Sequence, residues 1–403
     1  MRAIRDVFNE IDQWRAAGDA IAIARVVRTE GSAPRAPGAA MVVNADGRVA
    51  GSVSGGCVEG AVVAEALEVL ADRRARLVRF GYSDDVGFSV GLTCGGVIDV
   101  FVAPGPLAVQ TSFEAAVRAG EPVVLATVVA LSDAEPAEPG AGFRYRPDGP
   151  LTAGGSTELG ASMLVYEDGR HEGSLGQEGL ERSVLRDAAG ALAAGRSALR
   201  HYGPGGEARS EEVAVFLEAF APPPQMVIFG AVDFTAALTR VAKTLGYTVT
   251  VCDARATFAT ADRFPAADEV VVEWPDRFLS HAGGSLTWRD AICVLTHDPK
   301  FDVPALVSSL ATRAGYIGAM GSRRTHEDRR RRLAEEGVSS GDLDRIMAPI
   351  GLDLGAATPE ETAVAICAEI IALRNGRVPT SLRDASGPIH AAFDVTATVG
   401  RGT

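Results

Sequence analysis

The first half of this chain is written twice. "GAAMVVNADGRVAGSVSGGCVEGAVVAEALEVL" begins at Gly38, and "GASMLVYEDGRHEGSLGQEGLERSVLRDAAGAL" begins at Gly160. The two run without a gap from Gly38–Gly81 to Gly160–Gly203, at a constant offset of 122, with 17 identities in 44 positions. Self-similarity at a fixed offset means one supersecondary unit used twice. The flanks agree. "GDAIAIARVV" from Gly18 resembles "GEPVVLATVV" from Gly120, and "VIDVFVAPGP" from Val97 resembles "VFLEAFAPPP" from Val215. Asp46-Gly47 and Asp168-Gly169 are hairpin turns, and the stretch after each hairpin has helical spacing. Residues 1–221 are therefore expected to form two copies of one α/β unit, about 1–105 and 106–221.

When one fold is encoded twice, differences between the copies separate what the fold needs from what it does not. Cys57 aligns with Gly179, Gly55-Gly56 with Gln177-Glu178, and Cys94, in "LTCGG", with Glu212. The second copy keeps the hairpin and helix but loses both cysteines and the glycines beside them. Cys57 precedes a helix, whose positive end favours a thiolate. Gly55 and Gly56 permit positive φ and close approach of a ligand to the backbone. Cys57 and Cys94 are thus the candidate reactive residues, against the alternatives of turn filler and strand core. Gly55, Gly56 and Glu59 are candidate cofactor contacts. Arg35 lies in the rigid loop "GSAPRAPGA", which the second copy lacks, and its guanidinium suits a phosphate as well as a surface ion pair. The second copy adds "AEPAEPGAGFRYRPDGP", read as a surface loop.

"APPPQ" (Ala221–Gln225) is a stiff linker. Beyond it, strands such as "MVIFG", "YTVTVCD", "AICVLT" and "GYIGAM" alternate with helices, the pattern of a doubly wound, Rossmann-like parallel sheet over 225–380, with 381–403 as a tail. Asp253 follows Gly230 at the distance of a ribose-binding acid. The phosphate loop is poor. "GAVDFT" keeps only the first glycine of G-x-G-x-x-G, and Asp233 repels a pyrophosphate, so NAD(P) is not the expected ligand. Ligands in such sheets bind beyond the carboxyl ends of the strands. There stand "THDPKFD", with His297 and Asp298, and "GAMGSRRTHEDR", with Gly321, Ser322, Arg323 and Arg324, the two arginines placed to meet an anion. Thr325 with Asp328, and Thr358 with Glu361, read as helix caps, and Arg329–Arg332 as a solvated helix face.

The formal net charge of −13 argues against a nucleic-acid partner. No apolar run reaches membrane-spanning length, and "MRAIRDVFNEIDQW" has acids where a signal peptide needs an apolar core, so a cytoplasmic protein is expected. Five dispersed cysteines, at 57, 94, 252, 293 and 367, suggest neither a disulfide framework nor a zinc site.

The segments "GSAPRAPGAAMVV", "GSVSGGCVEG", "LTCGG", "VLTHDPKFD", "YIGAMGSRRTHEDR" and "PIGLDLGAATPEETA" together resemble the XdhC/CoxI family, accessory proteins of xanthine dehydrogenase and carbon monoxide dehydrogenase. The resemblance implies transient binding of the molybdenum cofactor (molybdopterin), help with its sulfuration, and insertion into an apo-molybdenum hydroxylase. It implies a sulfur donor such as a cysteine desulfurase, and a homodimer. Cys57 is then the residue to ligate molybdenum or carry sulfur. The chain departs from the family at the phosphate loop, where G-x-G-H-x-G is common. Rival readings are an NAD(P)-dependent oxidoreductase or a xanthine dehydrogenase-associated subunit using the C-terminal sheet, and a docking protein with no small-molecule site.

Overall fold

The computed structural model describes residues 4–31, 35–81, 96–131, 144–145, 157–208 and 210–384. The chain divides into two compact units between Pro222 and Pro223. In the first, copy one supplies α1 (Phe8–Ala16), β1 (Ile21–Glu30), β2 (Ala40–Asn44), β3 (Val49–Gly51), α2 (Glu59–Asp72), β4 (Arg76–Phe80) and β5 (Val97–Pro104). Copy two supplies α3 (Gln110–Arg118), β6 (Val123–Leu131), the short β7 (Arg144–Tyr145), β8 (Ser162–Tyr166), β9 (His171–Gly173), α4 (Glu178–Ala194), β10 (Ala198–Tyr202) and β11 (Val213–Phe220).

The copies share one topology. The first sheet runs β3-β2-β1-β5-β4, with β7 added at its edge, and the second runs β9-β8-β6-β11-β10. Registers repeat as well: Val42 pairs with Ala50 as Leu164 pairs with Glu172, and Ile21 with Asn44 as Val123 with Tyr166. Each central strand carries a bulge at the same place, Val27 in β1 and Val129 in β6, and the two bulged valines share one buried cluster. The pairing of Thr29 with Ile98 and of Leu131 with Val213 equates Ile98 with Val213. That is three residues away from the sequence match of Val97 with Val215. Gly51 and Gly173 have φ of 84° and 83°, and a Cβ there would lie 2.3 Å from Ala40 O and 2.4 Å from Ser162 O. The hairpin thus requires glycine in both copies.

Strand alternation explains the layering. In β1, Ala22, Ala24 and Val26 face α2, while Ile21 and Ile23 face the second sheet. In β6, Val124, Ala126 and Val128 face α4, while Val123 and Leu125 face the first sheet. Both faces of each sheet are covered, which is why β1 from Ile21 to Val27 and β6 are apolar but for Arg25 and Thr127.

One ion pair interrupts the inter-sheet layer. Arg25 Nε lies 3.4 Å from Glu218 Oε2, and both side chains are 3% exposed. Neither carboxylate oxygen, nor Nε or Nη2 of Arg25, has a hydrogen-bond partner among the described residues. Burial pushes Glu218 up to about 7 and lowers Arg25, against their mutual attraction.

The second unit contains β12 (Gln225–Phe229), α5 (Asp233–Thr244), β13 (Thr248–Cys252), β14 (Glu269–Val271), α6 (Pro275–Ala282), β15 (Ala291–Val294), α7 (Pro299–Leu310), β16 (Tyr316–Ala319), α8 (Arg323–Glu335), α9 (Ser340–Leu343), β17 (Ile346–Met347) and α10 (Pro359–Arg374). Its sheet is parallel throughout, in the order β14-β13-β12-β15-β16-β17. That is the 3-2-1-4-5-6 order of a Rossmann fold. Residues of α5 and α10 pack on one face, and residues of α6, α7 and α8 on the other. Cys252, Cys293 and Cys367 are buried in these cores, where burial raises their thiol pKa values and makes them inert packing.

The under-bonded Arg25–Glu218 pair yields a stability prediction. Glu218→Leu alone, which strands a buried guanidinium, should cost about 3–5 kcal/mol. Arg25→Met with Glu218→Leu should be at least as stable as wild type. A carboxyl whose folded pKa lies above its unfolded value holds a proton that the unfolded chain has released. Wild-type stability relative to the double variant should therefore fall as pH rises from the unfolded value, about 4.3, through about 7. Urea denaturation at about pH 5 and about pH 8 measures this. A double variant as unstable as the single one would refute it.

Candidate functional site

Between β3 and α2 the chain is gathered onto one carboxylate. Glu59 Oε1 accepts from Ser52 Oγ at 2.7 Å and from the Ser54 and Gly55 amides, both at 2.9 Å. Oε2 accepts from Ser54 Oγ at 2.5 Å and from the Gly56 amide at 2.8 Å. Ser54 Oγ in turn accepts from the amides of Cys57 at 3.0 Å and Val58 at 3.1 Å. Burial opposes the charged form of Glu59, but the bonds from Ser54 and Ser52 outweigh it and hold the carboxyl at about 2. Gly55 and Gly56 have φ of 87° and 125°. A Cβ at either would meet nothing, so dihedral angle and not space makes them glycine. Cys57 is half-buried at the end of this turn, packed against the cluster that holds Val53, Val58 and Val62.

This geometry corrects two expectations. The Gly55 and Gly56 amides donate to Glu59 and do not point at a ligand, and the Glu59 carboxylate is turned onto its own loop. Glu59 positions Cys57. Its counterpart Glu181 accepts from Ser174 Oγ at 2.6 Å and the Leu175 amide at 2.9 Å, so the anchor belongs to the shared fold. The copies differ in where the helix then starts. α4 begins at Glu178, the counterpart of Gly56, whereas α2 begins three positions later at Glu59. A Cβ at Gly179 would lie 2.2 Å from Gly205 O, so the second copy has no room for a cysteine there. The contrast at Cys57 therefore has a packing component, and the alignment overstated it. Arg35 is half-buried in the loop before β2, and Cys94 lies outside the described residues.

In the second unit the named residues gather at the carboxyl end of the sheet. Gly230 has φ of 112°, and a Cβ would lie 2.7 Å from Thr296 Cγ2, so glycine is needed where β12 and β15 converge. Asp253 is buried and accepts from the Ala231 amide at 2.8 Å and from Arg255 Nε and Nη2 at 2.9 and 2.7 Å. Burial opposes its ionisation, yet Arg255 and Ala231 hold its carboxyl below the ordinary range. A ribose would have to displace Arg255, a partner the sequence reading missed. Asp298 caps α7, accepting from the Lys300 amide. Ser322 caps α8 in the role expected of Thr325, which is instead the donor of the capping amide. Thr358 and Glu361 form the expected capping box.

His297, Gly321 and Ser322 meet in a cleft of about 370 Å³, lined also by Phe234, Met320, Pro349, Ile350 and Thr362. Arg323 and Arg324 are exposed at the start of α8 beside it. Arg329 is not solvated as expected. Its side chain is 4% exposed, and Nη2 donates to Asp302 Oδ2 and Met320 O, each at 2.8 Å, bracing the cleft wall. Thr296 Oγ1 bonds the other Asp302 oxygen. Among the described residues no group of three or more His, Cys, Asp or Glu could hold a metal ion, and no helix is long and apolar enough to cross a membrane.

The duplicated unit and the Rossmann unit match two family profiles. The profile described as the XdhC Rossmann domain matches residues 226–370, and that of the XdhC and CoxI family matches 14–81 and 151–203, one segment in each copy of the repeat. Together they span about two thirds of the chain, which belongs to the XdhC and CoxI family. It is 26% identical over 358 residues to a probable xanthine dehydrogenase subunit of Bacillus subtilis, covering 87% of this chain and 92% of that one. It is 25% identical over 359 residues to the molybdenum cofactor insertion chaperone PaoD of Escherichia coli, covering 89% and 84%. A crystal structure described as a xanthine dehydrogenase from Bacillus halodurans has the same fold, with a TM-score of 0.62 at 24% identity over 93% of this chain and 97% of that one.

The Glu59 anchor is directly testable. Removing a carboxylate that holds several buried or half-buried donors costs about 1–3 kcal/mol of local order. In Glu59→Ala, hydrogen exchange at the Gly55 and Gly56 amides should quicken by roughly tenfold or more, and Cys57 should alkylate faster. Glu181→Ala should leave both unchanged. Equal exchange rates in Glu59→Ala and wild type would remove Glu59 from its positioning role.

Proposed function

We propose that the protein is a carrier of the molybdenum cofactor that assists its sulfuration and inserts it into an apo-hydroxylase of the xanthine dehydrogenase or carbon monoxide dehydrogenase type. The observation that carries this reading is the Glu59-held turn, which fixes the backbone around a half-buried cysteine at the approach to α2 in one copy only. The names of the Bacillus subtilis and Escherichia coli relatives support it. A soft thiolate suits molybdenum. In the proposal Cys57 would hold the metal as a thiolate, its proton released to solvent, and would take a proton back when a ligand of the hydroxylase displaces it at hand-over.

The sulfur comes from a donor such as a cysteine desulfurase, and the carrier works as a cytoplasmic homodimer. NAD(P) is not part of this reading. The Asp253 carboxylate is engaged by Arg255, and Asp233 stands exposed at the start of α5, where a pyrophosphate would bind.

Cys57→Ala should fold as wild type does, within about 1 kcal/mol, because the turn is held through Glu59 and Ser54 and not through the thiol. It should fail to activate apo-hydroxylase in a reconstitution assay with cofactor and sulfur donor. Full activation by Cys57→Ala would reject the carrier chemistry assigned to this residue.

A further inference from the structure

The cleft in the second unit lies on the β15-β16-β17 side of the sheet, next to the switch point between β12 and β15 and away from the usual ribose-binding position at Asp253. Its walls are apolar, from Phe234, Met320, Pro349 and Ile350, and its polar groups are few and convergent, from His297, Ser322 and Thr362. The first turn or cap of four helices borders it: Phe234 in α5, His297 before the α7 cap, Ser322 capping α8 and Thr362 in α10.

Charge around the rim is uneven. α5 begins with Asp233, and α7 and α10 carry acids in their first turns, whereas α8 has none and begins with Arg323 and Arg324. Two cations at the positive end of a helix are unfavourable unless an anion arrives. Neither arginine forms an ion pair with a described residue, unlike Arg329, Arg330 and Arg331 on the same helix. The acids at α5, α7 and α10 are paired with Arg263, Arg329 and Arg240, so the two arginines at the start of α8 are the attractive part of the rim for an anion. A volume of about 370 Å³ lies at the small end for ligand pockets, room for one ring system and not for two nucleosides.

We propose that this cleft binds a phosphate monoester carried on a fused heteroaromatic ring. The ring lies against Phe234, Met320 and Ile350, and the phosphate lies at the start of α8 with Arg323 and Arg324. Assignment of the ring as a pterin rests on the cargo reading above. The cleft and its charge do not.

The test uses the full-length protein purified without cofactor, titrated calorimetrically with neopterin monophosphate, neopterin and guanosine monophosphate. Neopterin monophosphate should bind at least about tenfold more tightly than neopterin, and inorganic phosphate should compete. In Arg323→Glu/Arg324→Glu the advantage of the phosphate should vanish while the melting temperature holds or rises, since acids suit a helix start. Equal binding of neopterin and its monophosphate, or an undiminished advantage in the reversed variant, would overturn the proposal. Tighter binding of guanosine monophosphate would keep the site and overturn the pterin assignment. Cys57→Ala should titrate like wild type, so a failure of the carrier chemistry and a failure of this site are read in different assays.

Discussion

Two sheets that each need a second apolar face covered are the constraint on which the first unit depends. β1 and β6 are buried along almost their whole length. One side of each is covered by the helix of its own copy, and the other by a layer shared with the partner sheet and α1 and α3. Neither copy can bury its strands alone, so the duplication and the stability of the unit are one fact. The bulged Val27 and Val129 meet in a shared cluster because the copies present the same irregularity to each other. Symmetry of this kind leaves little freedom in the core. The freedom is at the strand-to-helix turns, and there the copies diverge.

The divergence has a simple physical form. Both turns are tied to a glutamate in the first turn of the next helix, Glu59 or Glu181. In copy two Glu181 accepts from Ser174 Oγ and the Leu175 amide, and the helix starts early. In copy one two positive-φ glycines let the chain wrap both carboxylate oxygens, which delays the helix and leaves Cys57 outside it. With its carboxyl held at about 2, Glu59 is ionised at neutral pH, so protonation does not loosen the turn there. The backbone amide of the cysteine there is itself part of the network, donating to Ser54 Oγ.

Much of the fold was legible because it rests on periodicity. The repeat, the paired DG hairpins, the parallel sheet and the Thr358–Glu361 box all derive from spacing. What was missed depends on a single side chain's direction. Arg329 sits in a run of four arginines, and only its i,i+4 relation to the buried Leu333 turns it inward toward Asp302. Arg25 and Glu218 are lone charges in apolar runs, a visible signal whose meaning required the inter-sheet contact. Gly179 was read as a lost cysteine, but the crowding that excludes a side chain comes from Gly205, distant in sequence. The cleft residues Phe234, Met320, Ile350 and Thr362 all lie inside segments that stand out in the sequence, yet nothing there marks them as a wall, because an apolar wall looks the same as core until the fold opens a space beside it.

The Rossmann unit shows how far a fold can keep its geometry while its usual binding loop changes. The glycine that lets β12 approach β15 is retained, since packing demands it. The glycines that serve a pyrophosphate alone are absent. Asp253 remains but is neutralised from within by Arg255, so its charge no longer needs a ribose. Once those two features are satisfied internally, the carboxyl end of the sheet has one remaining region among the described residues where apolar walls, helix N-termini and unpaired cations coincide, on the far side of the switch point. Selection for a dinucleotide would have had no reason to place Asp233 at the start of α5 and two arginines at the start of α8.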